Sequence, residues 1–155
     1  AMFLKGVELV NAKGDKQLAE NALKGKALAL YFAAHWCPNC RDFQPALNDF
    51  YAKVNATEQQ FDIVFVGSDA SEEDQVAHFK DHHGAWWMIP YNNELRNDLK
   101  RKYGVCAMKE QQAVGVTERK NGIPSLVVVR ADGELVDLNG ADKVENGEAV
   151  IPWTN

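Results

Sequence analysis

The stretch Ala27–Leu47, ALALYFAAHWCPNCRDFQPAL, decides the fold, because an apolar run, two cysteines and a helical pattern follow one another in it. The run from Ala27 to Ala34 is almost entirely apolar, which is typical of a central strand covered on both faces. Pro38 suits the first turn of a helix, where a missing N–H costs nothing. Apolar residues then recur at spacings of three and four and predict a helix with one buried face, namely Phe43, Leu47, Phe50, Tyr51 and Val54.

Cys37 and Cys40 fall at the junction of the predicted strand and the predicted helix. A thiolate is the reactive form of cysteine, and a helix N-terminus stabilises it with partial positive charge and free N–H donors. We therefore expect Cys37 to be exposed and to attack disulfides. Cys40, one turn later and more buried, would resolve the mixed disulfide. Strand, aromatic residue, Cys-Pro-x-Cys and helix together predict a thiol–disulfide oxidoreductase.

Three other interpretations of the cysteine pair stay open. A zinc site needs about four ligands, and Cys106 with His82 or His83 could complete one only at an unfamiliar spacing. A structural disulfide between Cys37 and Cys40 would close a tiny loop and constrain the unfolded chain little. Two unreactive cysteines buried at the start of a helix would need no chemistry. No motif for a metal, a nucleotide or a flavin is present, so we expect no cofactor.

The remaining pattern alternates strands with helices. Strands are predicted at Leu4–Val10, Phe61–Val66, Ser125–Val129 and Glu134–Leu138, and helices at Gln17–Leu23, after a Ser71 cap, from Asn92 or Asn93 to Tyr103, and at Asp142–Val150. This order predicts an α/β sheet with at least one antiparallel edge. Pro124 opens the third of these strands, and beside a Cys-Pro-x-Cys motif we predict that the Ile123–Pro124 bond is cis.

Length and charge limit the function classes. A chain of 155 residues fits one domain, taken here as residues 1–155, and 46% hydrophobic residues suffice for a packed core. The net charge of −5 and the scattered 17 Lys and Arg argue against nucleic-acid binding. No apolar stretch approaches the roughly 18 residues of a membrane helix, and no secretory signal is visible. We expect a cytoplasmic monomer.

The pattern YFAAxWCPxCRxFxPxL, from Tyr31 to Leu47, resembles the tryparedoxin and nucleoredoxin branch of the thioredoxin-like superfamily. Further similarities lie at Ser68–Asp69, Trp86 or Trp87 before Pro90–Tyr91, Tyr103–Val105 and Pro152–Trp153. The resemblance implies a thioredoxin-like fold, a central mixed β-sheet flanked by helices. It also implies that Cys37 is the nucleophile and Cys40 the resolving thiol. The substrate-binding surface would comprise Trp36, Pro38, Asn39, Arg41, Ile123 and Pro124.

Two functions are compatible with this resemblance. A tryparedoxin-like protein would take electrons from a small dithiol such as trypanothione, or from a reductase, and pass them to disulfide proteins such as peroxidases. A nucleoredoxin-like protein would instead act as a redox-dependent binding module with little turnover. Catalytic reduction of a disulfide separates the two.

Two positions of the core motif bear on the chemistry, and one of them departs from the family. Tyr31 stands six residues before Cys37, as the resemblance to tryparedoxins implies, whereas thioredoxins have a buried aspartate there, so proton handling needs another group or water. Asp69 and the acids at 72–74 are candidates, although solvated acids that cap a helix explain them better. Asn39 replaces a proline and restores an N–H near the Cys37 sulfur, so Asn39→Pro is expected to weaken thiolate stabilisation.

The second departure is the long polar segment of residues 106–122, which relatives cross in a few residues. It precedes Ile123–Pro124 and would therefore lie beside the active site, where it could tune the choice of partner. Cys106 could then serve as an extra redox thiol, but a surface insertion with an idle cysteine is the favoured interpretation. Arg41 would either favour a thiolate or an acidic substrate group, or be a solvated helix residue. The four histidines receive no role.

Overall fold

The computed structural model describes residues 2–149, and a mixed sheet of seven strands runs through its centre. The strands are β1 Glu8–Val10, β2 Lys16–Leu18, β3 Ala27–Ala33, β4 Phe61–Gly67, β5 Trp87–Met88, β6 Ser125–Val129 and β7 Leu135–Asp137. The helices are α1 Ala19–Ala22, α2 Pro38–Val54, α3 Glu72–His82, α4 Leu95–Tyr103, α5 Gln111–Val114 and α6 Gly140–Glu145, with a 3₁₀ turn at Met108–Glu110. The predicted mixed sheet flanked by helices is confirmed.

Strand order explains how distant parts of the chain meet. The sheet runs β2-β1-β5-β4-β3-β6-β7, with β3 parallel to β4 and antiparallel to β6. Phe32 pairs with Ser125, so the carboxyl end of β3 lies beside the beginning of β6. The Ile123–Pro124 segment therefore lies beside the turn that carries Cys37. Carboxyl ends of strands are the usual location of sites in α/β sheets.

Helices cover both faces of the sheet, as the buried central strands require. Tyr31 and Phe65 lie on the face covered by α2, α3 and α6, through Phe43, Phe79 and Val144. Their neighbours Leu30 and Val64 point to the other face, which packs against α1 and α4. The alternation follows from the two-residue period of a strand.

Three predicted elements differ from the structure. Residues 17–23 form the end of β2 and the short helix α1 instead of one helix, because residues 16–18 pair with β1 as an antiparallel strand. The first strand begins at Glu8 instead of Leu4, and β5 was not predicted because it is two residues long. The last helix spans Gly140–Glu145. Val150 and the Pro152–Trp153 motif lie outside the described residues.

The connection of residues 106–122 is more ordered than its polar sequence predicts. It contains the 3₁₀ turn and α5, and Cys106, Val114 and Val116 form a small buried cluster of their own. Gly104 ends α4 with φ of 69°, and a Cβ there would lie 2.8 Å from the Glu118 carbonyl oxygen. A left-handed glycine thus lets the chain turn closely into the connection.

The two outer strands of the described sheet are short. β2 and β7 have three residues each, and both include a charged residue, Lys16 and Asp137. Asp137 also pairs with Lys143 on α6. No helix within residues 2–149 is long and apolar enough to cross a membrane.

Candidate active site

Cys37 is the N-cap residue of α2. Its sulfur accepts a hydrogen bond from the backbone N–H of Cys40 at 3.2 Å, and both thiols are free. Pro38 occupies the first helical position, as predicted. The first N–H groups of a helix have no acceptor within the helix, and the Cys37 sulfur serves as the acceptor for one of them. The sulfur also lies at the positive end of the helix dipole.

Cys37 is buried, which corrects the expectation that it is exposed. Its exposed fraction is 5%, against 1% for Cys40. The reason is the loop before β6: the Cys37 sulfur lies 3.8 Å from the carbonyl oxygen of Ile123. Burial raises the pKa of Cys40 far above its ordinary value, and its hydrogen bond with Cys37 raises that pKa further. Cys40 is consequently a neutral thiol in the reduced protein.

The Ile123–Pro124 peptide bond is cis, which confirms that prediction. Although 86 positions separate Ile123 from Cys37, the antiparallel pairing of β6 with β3 brings the two residues together. The Ile123 carbonyl oxygen therefore lies against the Cys37 sulfur, and the adjoining Pro124 is half-buried.

The other residues expected at the substrate-binding surface lie around the pair. Trp36 is 38% exposed, and its indole N–H donates to the carbonyl oxygen of Ser68 at 2.9 Å. Arg41 is exposed and donates to the carbonyl oxygen of His35 at 2.6 Å. Asn39 is exposed, but the N–H that reaches the Cys37 sulfur belongs to Cys40. The hydrogen bond invoked for Asn39→Pro is therefore not donated by residue 39.

Tyr31, which occupies the position of the buried aspartate of thioredoxins, is not placed to act as a base. Its hydroxyl donates to the side-chain oxygen of Gln44 at 3.0 Å, and burial raises the pKa of Tyr31 well above its ordinary value. A neutral phenol bound to an amide fills the space without supplying a negative charge.

Asp69 is a buried acid, which corrects its interpretation as a solvated cap. One carboxylate oxygen accepts from the backbone N–H of His35 at 2.9 Å, and the other accepts from His78 Nδ1 at 3.1 Å. The acids Glu72, Glu73 and Asp74 are exposed in the first turn of α3, in agreement with that interpretation. Asp69 thus fixes the turn before Cys37 and connects it to α3.

The histidines form a hydrogen-bonded chain that the sequence did not reveal. The indole N–H of Trp86 donates to His83 Nδ1 at 3.1 Å, and Nε2 of His83 lies 3.2 Å from Nε2 of His78. An indole nitrogen only donates and a neutral imidazole has one N–H, so His83 must donate to His78. His78 is then left with its Nδ1–H, which donates to Asp69. This imidazole chain (Trp86, His83, His78 and Asp69) requires both histidines to be neutral.

Protonation of the imidazole chain is expected to destabilise the fold at acidic pH. Burial lowers the pKa of His83 well below its ordinary value of 6.5, so the unfolded chain binds a proton there that the folded chain does not. Stability is then complete above about pH 6.5 and falls below it, with a limiting slope of about 1.4 kcal/mol per pH unit. Urea unfolding between pH 7 and pH 5 measures this slope.

His83→Gln should reduce that slope, because an amide can donate to His78 without titrating. The exposed residue His82 provides the matched control, since His82→Gln also removes one imidazole. An equal slope in the wild type and in His83→Gln would contradict the role given to His83.

The connection of residues 106–122 reaches this site through Glu110. One oxygen of Glu110 accepts from Lys100 Nζ at 2.7 Å, and the other accepts from the Ala107 N–H at 2.8 Å and from the Ser68 hydroxyl. The backbone carbonyl oxygen of Ser68 in turn accepts a hydrogen bond from the indole N–H of Trp36. A lysine on α4 and a glutamate in a polar run gave no sequence signal, since their pairing depends on the tertiary fold.

Cys106 does not belong to the thiol pair's surface. It is fully buried, its carbonyl oxygen accepts from Arg119 Nε at 2.8 Å, and burial raises its pKa above the ordinary value. These features oppose its use as an accessible redox thiol and favour the idle interpretation. Among residues 2–149 no three His, Cys, Asp or Glu side chains are grouped as a metal site.

Comparisons with known proteins identify similar sequences and structures. Residues 25–135 match a family model described as thioredoxin-like. Nucleoredoxin from Danio rerio is 34% identical over 91% of this chain, and tryparedoxin from Trypanosoma brucei brucei is 30% identical over 100% of it. The match covers 31% of that nucleoredoxin and 97% of that tryparedoxin. The chain therefore spans less than a third of the nucleoredoxin's length.

Two solved structures resemble the chain along nearly its whole length. A crystal structure of thioredoxin from Wuchereria bancrofti has a TM-score of 0.81 and 37% identity, covering 98% of this chain and 93% of its own. Tryparedoxin II complexed with glutathionylspermidine has a TM-score of 0.75 and 25% identity, covering 99% and 96%.

Proposed function

The chain belongs to the thioredoxin-like family, and from that premise we propose that it reduces protein disulfides, with Cys37 as nucleophile and Cys40 as resolving thiol. The observation that carries this proposal is the contact of the Cys37 sulfur with the Cys40 N–H and the Ile123 carbonyl. The N–H at the helix N-terminus can donate a hydrogen bond to the Cys37 thiolate. The carbonyl oxygen just before β6 can accept a hydrogen bond from the backbone of a bound target segment.

The proposed reaction transfers two electrons. The Cys37 thiolate attacks one sulfur of the target disulfide, that S–S bond breaks, and the leaving sulfur departs as a thiolate that takes up a proton from water. Cys40 then loses its proton, and its sulfur attacks the Cys37 sulfur. The mixed disulfide breaks, the second target cysteine leaves as a thiol, and the Cys37–Cys40 disulfide remains.

Trp36, Pro38, Asn39, Arg41, Ile123 and Pro124 form the surface on which the target would lie. Each of them is exposed or half-buried around the pair. The similar tryparedoxin complexed with glutathionylspermidine supports a small thiol or dithiol, such as trypanothione, as the donor that reloads the pair. Peroxidases are the disulfide proteins we propose as acceptors. A cytoplasmic location suits a cysteine pair that must be kept reduced.

The test is NADPH-coupled disulfide reduction with three donor systems: trypanothione with its reductase, glutathione with its reductase, and thioredoxin reductase. Cys40→Ser is the control in each. Turnover with trypanothione alone, lost in the variant, supports the tryparedoxin-like function. Turnover with another donor supports the reductase function and identifies that donor in place of trypanothione. No turnover from folded protein with reduced thiols contradicts the proposal and favours the redox-dependent binding module.

A further inference from the structure

Lys109 lies on the active-site tryptophan. Its Nζ is 3.6 Å from the centroid of the Trp36 ring, and both side chains are exposed. An ammonium group over an indole face is attracted by the ring quadrupole. Because Trp36 directly precedes Cys37, this cation stands at the rim of the proposed disulfide-binding surface.

The position of Lys109 is fixed by its neighbour Glu110. Both carboxylate oxygens of Glu110 are engaged, by Lys100, by the Ala107 N–H and by Ser68. These bonds hold the 3₁₀ turn against the end of β4, so the backbone at residue 109 is anchored while its side chain reaches the indole. The Lys109 side chain is thus already partly ordered in the free protein, so less conformational entropy is lost when a partner binds.

The charge of Lys109 is not neutralised by the residues that the structure describes. Within positions 2–149 no carboxylate forms an ion pair with it, whereas the neighbouring Lys100 pairs with Glu110. The chain as a whole has a net charge of −5. Lys109 and the exposed Arg41 are thus cations on the proposed binding surface of an acidic chain, and they attract a negative group locally although the net charge of the chain repels one.

Trp36 also borders a cavity that has acidic residues in its lining. A cavity of about 280 Å³ borders His35 and Trp36 and is also lined by the carboxylates of Asp74 and Asp81. Lys109 does not line this cavity. An acidic residue of a bound segment would therefore be attracted to Lys109 and repelled by the acids of this cavity.

We infer that Lys109 is a specificity-determining residue, which contacts a carboxylate side chain on the protein segment that carries the target disulfide. This inference rests on the proposed disulfide reduction and names its substrate class: protein disulfides with an acidic residue beside the attacked cysteine. The connection of residues 106–122 would then select among partners through one cation placed on Trp36.

The test uses three disulfide-closed peptides that differ at one position next to a cysteine: glutamate, glutamine or lysine. Each is mixed with the reduced protein, and single-turnover rate constants are measured. The wild type is expected to reduce the glutamate peptide roughly two to five times faster than the lysine peptide. The ratio should approach one in 1 M salt, where the Debye length is about 3 Å.

Lys109→Glu should invert the ratio of the glutamate-peptide rate constant to the lysine-peptide rate constant, and Lys109→Gln should bring this ratio near one. Lys109→Arg should retain the wild-type ratio. The matched control is Lys24→Glu, because Lys24 is exposed near the beginning of β3, at the opposite end of the strand, and the change in net charge is the same. A wild-type ratio near one, an unchanged ratio in Lys109→Glu, or an equal shift in Lys24→Glu would overturn the inference. Failure of the wild type to reduce the glutamine peptide would instead contradict the proposed function.

Discussion

Cys37→Ser is expected to lower disulfide-reduction turnover by roughly 10³-fold or more, since it removes the nucleophile and leaves no group to replace it. Cys40 cannot substitute, because burial raises the pKa of its thiol far above the ordinary value and keeps it protonated. The steady-state rate with the donor that supports the wild type is the measurement. A residual rate above about a tenth of the wild type would contradict the assignment of Cys37.

Cys40→Ser should fail differently, by accumulating the mixed disulfide. Attack by Cys37 is still possible, but no second thiol lies one helical turn away to release the product. Mass spectrometry of the protein mixed with a disulfide peptide should find the adduct on Cys37. Cys106→Ser is the matched control, and its turnover should equal that of the wild type because Cys106 is fully buried in the separate cluster. An adduct on Cys106 would contradict this division of roles.

Glu110→Ala is expected to lower the free energy of unfolding by about 3–5 kcal/mol, because it strands a buried charge. Lys100 is fully buried, whereas Glu110 is 20% exposed, and the pair is 2.7 Å apart. Burial lowers the pKa of Lys100, which its attraction to Glu110 offsets in part. Without the carboxylate the ammonium would be uncompensated, so the loss should shrink as the pH rises and the amine becomes neutral. Denaturant unfolding at pH 7 and pH 9 measures both effects.

The control for Glu110 is the exposed Glu118 in the same connection, whose replacement by alanine should change stability by less than about 0.5 kcal/mol. The double variant Glu110→Ala with Lys100→Met should recover much of the loss, because no charge is then buried. A loss below about 1 kcal/mol in Glu110→Ala would show that the pair is a solvated surface contact.

The sequence was sufficient for features that depend on local pattern. The apolar run of β3, the Pro38 start of α2 and the Ser71 cap of α3 were all predicted, because each depends on neighbouring residues. The cis bond at Ile123–Pro124 was predicted only beside the cysteine motif. No spacing along the chain shows that Ile123 lies against Cys37; the strand order produces that contact.

The polar parts of the site could not be predicted, because their partners are chosen by the tertiary fold. His78 and Asp69 are nine positions apart, and the sequence alone predicts a solvated acid at Asp69. The packing of α3 brings His78 to its carboxylate. Glu110 and Lys100 belong to different elements, and each alone resembles an ordinary surface charge. Burial of Cys37 likewise depends on a loop 86 positions away.

The short outer strands β2 and β7 bear on how the protein behaves when it is crowded. An open sheet edge with free N–H and C=O groups invites strand addition by another copy, which is a route to aggregation. Here each edge offers only three residues, and the exposed Lys16 on β2 opposes extended pairing, whereas Asp137 on β7 is already paired with Lys143. Edges of three residues therefore give an extended segment of another copy few backbone groups with which to pair.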